Sequence, residues 1–562
     1  MKNRNHLRCI AIALATALLG SALTACGNKP AETPSSTPAS EPTPASSAPA
    51  EPETDADPFG KYDPPITLKA VRWLNSYVKF DESNPETKSL EENVWADAWR
   101  DQLGIELDYL WTPNQDQYTQ KWNVALASGQ LPDIGVVDIN LYKQLVQGGL
   151  VEDMTDIYAT YASDTYKKMN EDENNNAITY MTFDGKLMGL PMPGTVPDAI
   201  STMFIRQDWL NKVNKEIPTT VDELLDVVKA FQDAKLGGDD TVGIAITKSP
   251  GDGEMGLRGL FEAFNAHYDV WLDDGNGNLI YSTVAPEMRE ALLKLQQMYK
   301  DGVFRQDYSV LDSSQAGQDI VSSKCGISFG TYWAPLVSLG SNSVSDTDAE
   351  WVVAEIPTVD GSPYKSSAAA TPAWFIFVRK GMEHPEAAVK LANLDYKLTA
   401  EDPSKYNVDA TKDGIERSNY KIYAMGGPWA NLNTWAAVTD AITAGSDASL
   451  DAINKTTYSS VKAALDGDRA AIGTALVFGP NSTYAMVNRL KNENRILQDG
   501  YQTLPTDTMT RRKADIGALL DSAILNVING EDISAFDEAV EAWKAGGGDT
   551  MTEEVNAWYH SK

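Results

Sequence analysis

A serine between spaced glycines is the first pattern in this sequence that could perform covalent chemistry. Gly326-Ile327-Ser328-Phe329-Gly330 matches the G-x-S-x-G nucleophile elbow, in which a downstream histidine activates a serine on a strand-to-helix turn. The downstream histidines are His384, in a His-Pro-Glu helix-start motif, and His560 near the carboxyl terminus. No oxyanion-loop pattern accompanies the serine. A secreted serine hydrolase using Ser328 is therefore an alternative that the sequence does not favour.

Metal-binding and cofactor-binding patterns are missing from the sequence. The four histidines show no paired zinc spacing, and neither a Walker loop nor a dinucleotide fingerprint occurs. The histidines are His6, His267, His384 and His560. Gln232–Asp240 lacks alternating Ca²⁺ ligands and contains Lys235, whereas Asp274–Asn278 has such alternation but Ala285 at loop position 12. We predict a hairpin turn at Asp274–Asn278, no bound metal and no cofactor.

Short apolar runs alternate with longer helical patterns beyond Pro64, which predicts α/β architecture. The predicted strands are Ile66–Trp73, Ile105–Leu110, Val242–Ile246, Cys325–Phe329, Trp351–Ile356 and Trp374–Val378. The predicted helices are Leu90–Gln102, Thr220–Phe231, Pro286–Tyr299 and Ile533–Lys544, the last stopped by Gly546–Gly548. From about Ala436 onward the periodicity is mainly helical.

The amino terminus has the pattern of an export signal. Residues 1–25 combine three basic residues with the apolar run Cys9–Leu23, which predicts a secretory signal peptide. Leu23-Thr24-Ala25-Cys26 resembles the lipobox of bacterial lipoproteins, which implies a lipid anchor with palmitate-type acyl chains on Cys26; the alternative is an ordinary cleavage site. Residues 26–63 form the lipidated cysteine and a Pro/Ser/Ala/Glu-rich segment, which composition predicts to be a disordered tether.

Cysteine content and charge limit the remaining possibilities. Cys9 belongs to the signal and Cys26 to the anchor, so only Cys325 remains and no intramolecular disulfide can form. The formal net charge is −32, and it becomes about −35 when the three signal cations are removed. Such a chain repels polyanions, so we predict that neither nucleic acid nor anionic lipid is a partner.

Several short motifs follow one another after the tether. Each alone would be weak evidence for a family, and their order is what makes them informative. They are Asn123–Ile134, Asp184–Lys186 with Gly189–Pro191, Ile205–Leu210, Pro218–Glu223, His384–Ala388, and Trp543–Gly547 with Glu553–Tyr559. Over essentially everything after the tether, the chain resembles the family 1 extracellular solute-binding proteins. It looks most like the larger, Gram-positive-rich branch of lipoproteins that serve oligosaccharide importers.

The resemblance implies a periplasmic-binding-protein-like fold of type II. Two α/β lobes would be joined by a hinge of several crossing segments, and the ligand would bind in the cleft between them. Residues 64–195 plus 368–430 would form the first lobe. Residues 196–367 plus 431–562 would form the second lobe.

A sugar-binding cleft needs exposed aromatic planes for stacking and short amide or carboxylate groups for hydrogen bonds. The sequence offers 14 Trp and 23 Tyr. From the resemblance and the expected crossings, the candidate ligand-binding residues are Trp73, Asn75, Asp138, Asn140, Arg206, Tyr332, Trp333, Trp429 and Asn431. The alternative role for Trp73 is packing in the core. The alternative role for Arg206 is an ion pair with Asp208. Val137 stands where related maltodextrin-type binders usually carry an aromatic residue.

The expected function is that of a lipid-anchored binding protein at the extracellular face of the cell membrane. It would act as a monomer without catalysis, capturing an oligosaccharide or other sugar and delivering it to an ABC permease. The alternatives are a binding protein for a peptide or other non-sugar solute, and the hydrolase using Ser328. The identity of the sugar depends on a few cleft side chains, and the sequence does not fix it.

Overall fold

Most apolar runs predicted as strands do form strands. The computed structural model describes residues 56–74, 78–170, 177–192, 196–251, 253–368, 372, 374–407, 415–423 and 429–562. Within them the strands are β1 (Ile66–Val71), β2 (Ile105–Trp111), β3 (Ile134–Val137), β4 (Thr182–Phe183), β5 (Lys186–Leu187), β6 (Thr202–Arg206), β7 (Trp271–Asp273), β8 (Leu279–Tyr281), β9 (Ile327–Gly330), β10 (Trp351–Ala354), β11 (Ser366–Ala368), β12 (Phe375–Val378) and β13 (Ile496–Gln498). The predicted signal peptide and Cys26 lie outside the described residues.

Helices fill the intervals between strands and most of the last third, as the periodicity predicts. They are α1 (Val94–Ala98), α2 (Gln115–Ser128), α3 (Ile139–Gln147), α4 (Thr155–Tyr161), α5 (Asp164–Asn170), α6 (Ala177–Met181), α7 (Gln207–Val213), α8 (Val221–Asp233), α9 (Arg258–Ala263), α10 (Pro286–Lys300), α11 (Ser313–Val321), α12 (Ser338–Ser345), α13 (Glu386–Glu401), α14 (Pro403–Tyr406), α15 (Ala430–Ala444), α16 (Ala452–Leu465), α17 (Ile472–Phe478), α18 (Thr483–Asn492), α19 (Asp507–Ile528), α20 (Ser534–Trp543) and α21 (Asp549–Tyr559). No described helix is long and apolar enough to cross a membrane.

The two largest of the five sheets in the described residues organise the fold, and the other three have two strands each. The first has the order β12-β3-β1-β2, in which β1 runs parallel to β2 and β3, and β12 runs antiparallel to β3. The second has the order β10-β6-β9, with β6 antiparallel to both neighbours. β3, β9 and β12 are buried along their whole length, which is why they read as continuous apolar runs.

Each sheet lies in its own hydrophobic core. The first core draws on residues 68–192, residues 375–423 and Leu504. The second core draws on residues 200–364 and 429–555. The chain therefore passes from one hydrophobic core to the other after Met192, after Tyr364 and after Tyr423. The lobe boundaries drawn from the resemblance stay a prediction, but they fall close to these changes, except that Trp429 packs in the second core and Leu504 in the first.

The predicted helix Leu90–Gln102 is shorter than expected, and a polar cap is the reason. The Asn93 side chain accepts hydrogen bonds from the backbone N–H groups of Trp95 and Ala96, which starts α1 at Val94. A wider π-type turn follows over Trp99–Leu103. By contrast, α8 begins as predicted, because Thr220 and Glu223 form a reciprocal capping box.

The predicted strand Val242–Ile246 is wrong as a strand. The segment makes only two isolated bridges, Val242 to Cys325 and Ala245 to Ser328. Between them, the N–H of Ile244 donates to the carbonyl of Val303, so the hydrogen bonds alternate between two partners instead of forming one ladder.

The predicted stop at Gly546–Gly548 is a kink between helices. α20 ends at Trp543, a π-type turn covers Lys544–Gly548, and α21 follows at once. Gly547 has φ of 132°, and a Cβ on Gly548 would lie 2.2 Å from the Trp543 ring. Glycine is needed here for conformation and for close packing, and the chain continues as a helix.

Candidate functional site

Three strand ends meet at one edge of the first sheet. β1 and β3 are parallel neighbours, and Phe375 at the start of β12 pairs with Val137 at the end of β3. Trp73 follows β1, Asp138 follows β3 and Trp374 precedes β12. Because these ends coincide, the three residues lie at the same edge, which we call the first edge.

Ring packing fixes the aromatic part of the first edge. The rings of Trp73 and Trp374 lie 4.3 Å apart at 32°, and Tyr118 packs edge-on against Trp73 at 5.1 Å. The hydroxyl of Tyr118 donates to the carbonyl of Val136, which ties the ring to β3. Both tryptophans are half-buried, so Trp73 contributes to the core and still presents part of its surface.

Asp138 and Asn140 have different local roles at the first edge. The Asp138 carboxylate accepts hydrogen bonds from the N–H groups of Asn140 and Leu141, each 2.9 Å long, and so caps α3. Asn140 lies in the first turn of α3 with an exposed side chain. The predicted contact Asn75 lies outside the described residues.

A corresponding edge exists on the second sheet. Thr202 at the start of β6 pairs with Gly330 at the end of β9, so the residues before β6 and after β9 lie together. Asp198, in a short 3₁₀ helix before β6, and Tyr332 and Trp333 after β9 occupy this place, which we call the second edge. The predicted residues Tyr332 and Trp333 are thus brought beside an aspartate that the sequence analysis did not single out.

Hydrogen bonds to Asp198 hold the second edge together. Its carboxylate accepts one from the hydroxyl of Tyr484 and others from the amide of Asn431, at 3.2 and 3.4 Å. The rings of Tyr332 and Tyr484 lie 5.4 Å apart. Burial, followed by the negative charge of Asp198, raises the pKa of Tyr332 to about 12. The phenols therefore stay neutral, able to donate hydrogen bonds, throughout the physiological range.

Trp333 is the most exposed of the 14 tryptophans, all of which are described. Its relative exposure is 36 %, and it stands in the turn before a 3₁₀ helix at Ala334–Leu336. Gly253 lies beside it, since a Cβ added at Gly253 would be 4.0 Å from the Trp333 ring. A partly exposed indole next to a glycine offers a flat apolar surface to a ligand.

Comparison with known proteins identifies the family. The profile of the bacterial extracellular solute-binding proteins matches residues 82–402, more than half of the chain. The chain belongs to this family. The resemblance drawn from the ordered motifs is thereby confirmed.

Two curated relatives of this solute-binding protein align along almost its whole length. Lipoprotein LipO of Bacillus subtilis is 24 % identical over 535 residues, which cover 91 % of this chain and 95 % of LipO. The polygalacturonan/rhamnogalacturonan-binding protein YtcQ of the same organism is 23 % identical over 505 residues, covering 88 % and 92 %.

Solved structures confirm the predicted fold class. The Streptococcus pneumoniae ABC-transporter substrate-binding protein FusA, an EF-hand mutant in complex with fructo-nystose, superposes with a TM-score of 0.60 at 15 % identity. The match covers 88 % of this solute-binding protein and 99 % of that chain. The mixed α/β, periplasmic-binding-protein-like fold is therefore established.

Trp429 and Asn431 lie close in sequence but in different surroundings. Trp429 is 7 % exposed, packs in the second core and has the Lys491 ammonium 3.6 Å from its ring centroid. Asn431 binds Asp198 at the second edge. Of the two, Asn431 has its polar group at the second edge, whereas the Trp429 ring lies in the second core.

Arg206 is a structural residue, so its candidate contact with a ligand is wrong. The side chain is 1 % exposed at the end of β6 opposite to the second edge. Its guanidinium binds Asp208 through Nε at 2.7 Å and Nη2 at 2.9 Å, and it reaches Asp346 at 3.1 Å. Pairing with Asp208, the alternative considered from the sequence, is what the structure shows.

Ser328 does not stand in a nucleophile elbow. It lies inside β9 rather than on a turn, it is fully buried, and its hydroxyl is 3.4 Å from the carbonyl of Phe329. His384 contacts Tyr62 and Glu386. His560 contacts the carbonyl of Gly277 instead. Neither downstream histidine is therefore engaged with the serine.

Both calcium-like stretches have structural explanations. β7 and β8 pair across Asp274–Asn278, which confirms the predicted hairpin. In Gln232–Asp240, the Lys235 ammonium binds Asp239 at 2.6 Å. In the part of the chain that is described, no group of three or more His, Cys, Asp or Glu side chains is arranged to hold a metal ion.

The sequence analysis missed Trp374, Asp198 and Tyr484. Trp374 was predicted as an apolar residue of a strand, whereas it lies at the first edge and packs against Trp73. Asp198 and Tyr484 are separated by 286 residues and meet only through the fold. A tryptophan at the boundary of a buried strand is the one signal that would have pointed to Trp374.

Proposed function

We propose that this solute-binding protein captures an oligosaccharide between the first and second edges and delivers it to an ABC permease. The observation that carries the proposal is that both edges combine aromatic planes with carboxylate or amide groups. Sugar rings have apolar C–H faces that stack on indoles and hydroxyls that pair with such groups. A glycan ligand is supported by the polygalacturonan/rhamnogalacturonan-binding protein YtcQ and by the complex of FusA with fructo-nystose.

Each edge would contribute a different kind of contact. Trp73 and Trp374 form a rigid half-buried aromatic surface, with Asp138 and Asn140 beside it. The second edge would contribute Trp333, whose ring is partly exposed. Asp198, held by its neighbours, keeps acceptor oxygens in fixed positions at low entropic cost.

Closure of the two lobes around the solute is part of this proposal. The lobes would be residues 64–195 with 368–430 and residues 196–367 with 431–562, rotating about the segments where the chain changes core. The family's role in solute capture, together with the buried position of Ser328, supports binding without catalysis.

We also propose that the protein is a monomer held at the extracellular face of the membrane by a lipid on Cys26. The lipobox-like sequence supports the anchor, as does the name of LipO. Mass spectrometry of the membrane fraction should find a diacylglyceryl adduct on Cys26, and Cys26→Ser should move the protein into the medium. Retention of Cys26→Ser on cells would contradict the anchor.

Thermal unfolding of the mature chain with Cys26 omitted tests the solute class. A ligand at 100 times its dissociation constant adds about 2.7 kcal/mol of stability, so glycans, monosaccharides and peptides can be compared directly. Selective stabilisation by a glycan supports the proposal. Stabilisation by peptides alone would instead favour a peptide or other non-sugar solute.

A matched pair of variants locates the site. Trp333→Ala should weaken binding of the active glycan at least about tenfold, because a stacked aromatic contributes on the order of 1–2 kcal/mol. Leu465→Ala removes another exposed apolar side chain, at the end of α16, and should leave the affinity unchanged. Equal affinities for both variants and the wild type would exclude Trp333 from the site.

A further inference from the structure

A cavity of about 450 Å³ lies where the two cores meet, and we call it the junction pocket. Ile139 and Asn140, at the start of α3, line one side of it. The opposite side comes from the second core and carries four aromatic rings. These are Tyr268, Trp271, Tyr281 and Tyr501. The pocket therefore reaches the first edge through Asn140, two residues beyond Asp138.

Direct contacts hold the two sides of the junction pocket together. The Lys143 ammonium of α3 binds the carbonyl of Pro505 and the carboxylate of Asp507, both at 2.7 Å. The hydroxyl of Tyr180, in the first core, donates to the carbonyl of Tyr501 at 3.3 Å. The walls are thus positioned before any ligand enters, which lowers the cost of ordering them.

The charged side chains that line the junction pocket are mainly acidic. Asp269, Asp499 and Asp521 contribute carboxylates, whereas Lys513 contributes one ammonium. Lys513 pairs with Asp269 at 2.7 Å, and the Tyr268 hydroxyl donates to Asp521, also at 2.7 Å. One positive side chain thus faces three acidic ones.

Asp499 is the residue that points most directly to a ligand. It is only 8 % exposed, and its Oδ1 accepts hydrogen bonds from the N–H groups of Trp271, at 3.2 Å, and Tyr501, at 2.9 Å. No hydrogen bond to Oδ2 is found among the described residues, although Asp499 lines the pocket. Because this largely buried carboxylate lines the pocket, its second oxygen is available to a hydrogen-bond donor on a ligand.

We propose that the junction pocket is a subsite for a saccharide unit that donates hydrogen bonds to Asp499 and carries no carboxylate. This proposal rests on the proposed function and adds the class of the solute. Neutral or amine-bearing oligosaccharides are accepted, and uronates are rejected. The aromatic rings offer stacking surfaces for the pyranose or furanose body. The excess of carboxylates repels a uronate, since juxtaposed like charges cost several kcal/mol.

The proposed selectivity against uronates differs from the selectivity of a relative. YtcQ is named for binding polygalacturonan, a polymer of uronate units, whereas the junction pocket has one lysine, which is already paired with Asp269. Arginine, the side chain best suited to bidentate carboxylate recognition, is not among the residues that line the pocket.

The first test compares oligosaccharides that differ only in charge. Calorimetric titration of the mature chain would use oligogalacturonides, alginate oligomers and their carboxyl-reduced counterparts, with chitosan oligomers as the amine-bearing arm. We expect a carboxyl-reduced or chitosan oligomer to bind at least about tenfold more tightly than any uronate. Uronate binding equal to or tighter than that of the reduced form would overturn the inference and leave sugar capture standing. Binding of no oligosaccharide in this or the wider glycan panel would reject both.

The second test places the selectivity in the junction pocket. Asp499→Asn keeps an oxygen for the two backbone donors but removes the charge. It should therefore weaken binding of the preferred oligomer at least about tenfold and reduce the ratio of its affinity to that of the uronate. Asp451→Asn, an equal change of charge at the exposed cap of α16, should alter neither quantity. If Asp499→Asn folds and behaves like Asp451→Asn, the pocket is not the subsite.

Discussion

The first and second edges offer similar groups to a solute but are built in different ways. At the first edge, Trp73 rests on Trp374 and Tyr118, so the binding surface is also part of a hydrophobic core. At the second edge, Trp333 is the most exposed tryptophan, and the fixed element is Asp198 with its hydrogen-bond donors. One edge is positioned by packing and the other by a polar network.

This difference predicts how stability and binding are coupled. Removal of a ring that is both core and contact surface should lower both quantities, whereas removal of an exposed ring should lower binding alone. Charged groups held for a ligand should even reduce stability in its absence. Four substitutions test the comparison, in decreasing order of their expected effect on the free energy of unfolding.

Trp73→Ala should cause the largest loss of stability. The ring packs against Trp374 and Tyr118, and replacing a packed tryptophan by alanine typically costs about 3–5 kcal/mol. Since Trp73 is only half-buried, we expect about 3 kcal/mol, measured as a lower urea midpoint. Trp73→Phe retains most of the contact and serves as the control. A cost under 1 kcal/mol for Trp73→Ala would show that the first edge does not depend on ring packing.

Asp499→Asn should increase stability at neutral pH. Burial raises the pKa of Asp499 to about 6, and the negative charge of Asp269 adds to the rise, whereas the N–H groups of Tyr501 and Trp271 and the positive charge of Lys513 lower it. A carboxyl whose pKa is higher in the folded state loses stabilisation as pH rises from about 4 to about 6. The amide cannot ionise, so the variant should gain up to about 3 kcal/mol over the wild type across that interval. Urea titrations at pH 4 and pH 7.5 measure this difference.

The same variant should also bind the preferred oligosaccharide less well, which separates stability from function. If the gain in stability of Asp499→Asn over the wild type is the same at both pH values, the charge of Asp499 does not cause it. Asp451→Asn, exposed and remote from the junction pocket, supplies the baseline for the substitution itself.

Asp198→Ala should destabilise the second edge by about 1–3 kcal/mol. The substitution leaves the buried hydroxyl of Tyr484 and the amide of Asn431 without the acceptor they share. Asp198→Asn keeps one acceptor oxygen and should cost less. Calorimetric unfolding of the two variants checks the order, and equal costs would show that Asp198 does not organise this edge.

Sequence reasoning succeeded where a side chain's role depends on its own strand or cap. The ends of β1 and β9 were predicted closely enough to place Trp73 and Trp333 at sheet edges, and Thr220 marked the start of α8. The pairing of Arg206 with Asp208 also follows from local spacing, because the two are neighbours across a turn.

It failed where a group's role depends on distant partners. Tyr484 gains its place at the second edge from Asp198, and Asp499 accepts a hydrogen bond from the N–H of Trp271, 228 residues away. No periodicity in the sequence carries that information. Trp429, a candidate from the expected crossing between lobes, likewise depends on distant groups, because the second core and Lys491 enclose its ring.

Trp333→Ala should have the smallest effect on stability and therefore gives the sharpest contrast with Trp73→Ala. With 36 % of its surface exposed and no helix or strand of its own, Trp333 contributes little to either core, so we expect a cost below about 1 kcal/mol. The same substitution should weaken glycan binding at least about tenfold. Comparing urea midpoints and titration affinities of the two tryptophan variants yields two ratios. If the ratio of binding loss to stability loss is no larger for Trp333 than for Trp73, the two edges are built alike and the distinction between packing and polar positioning is wrong.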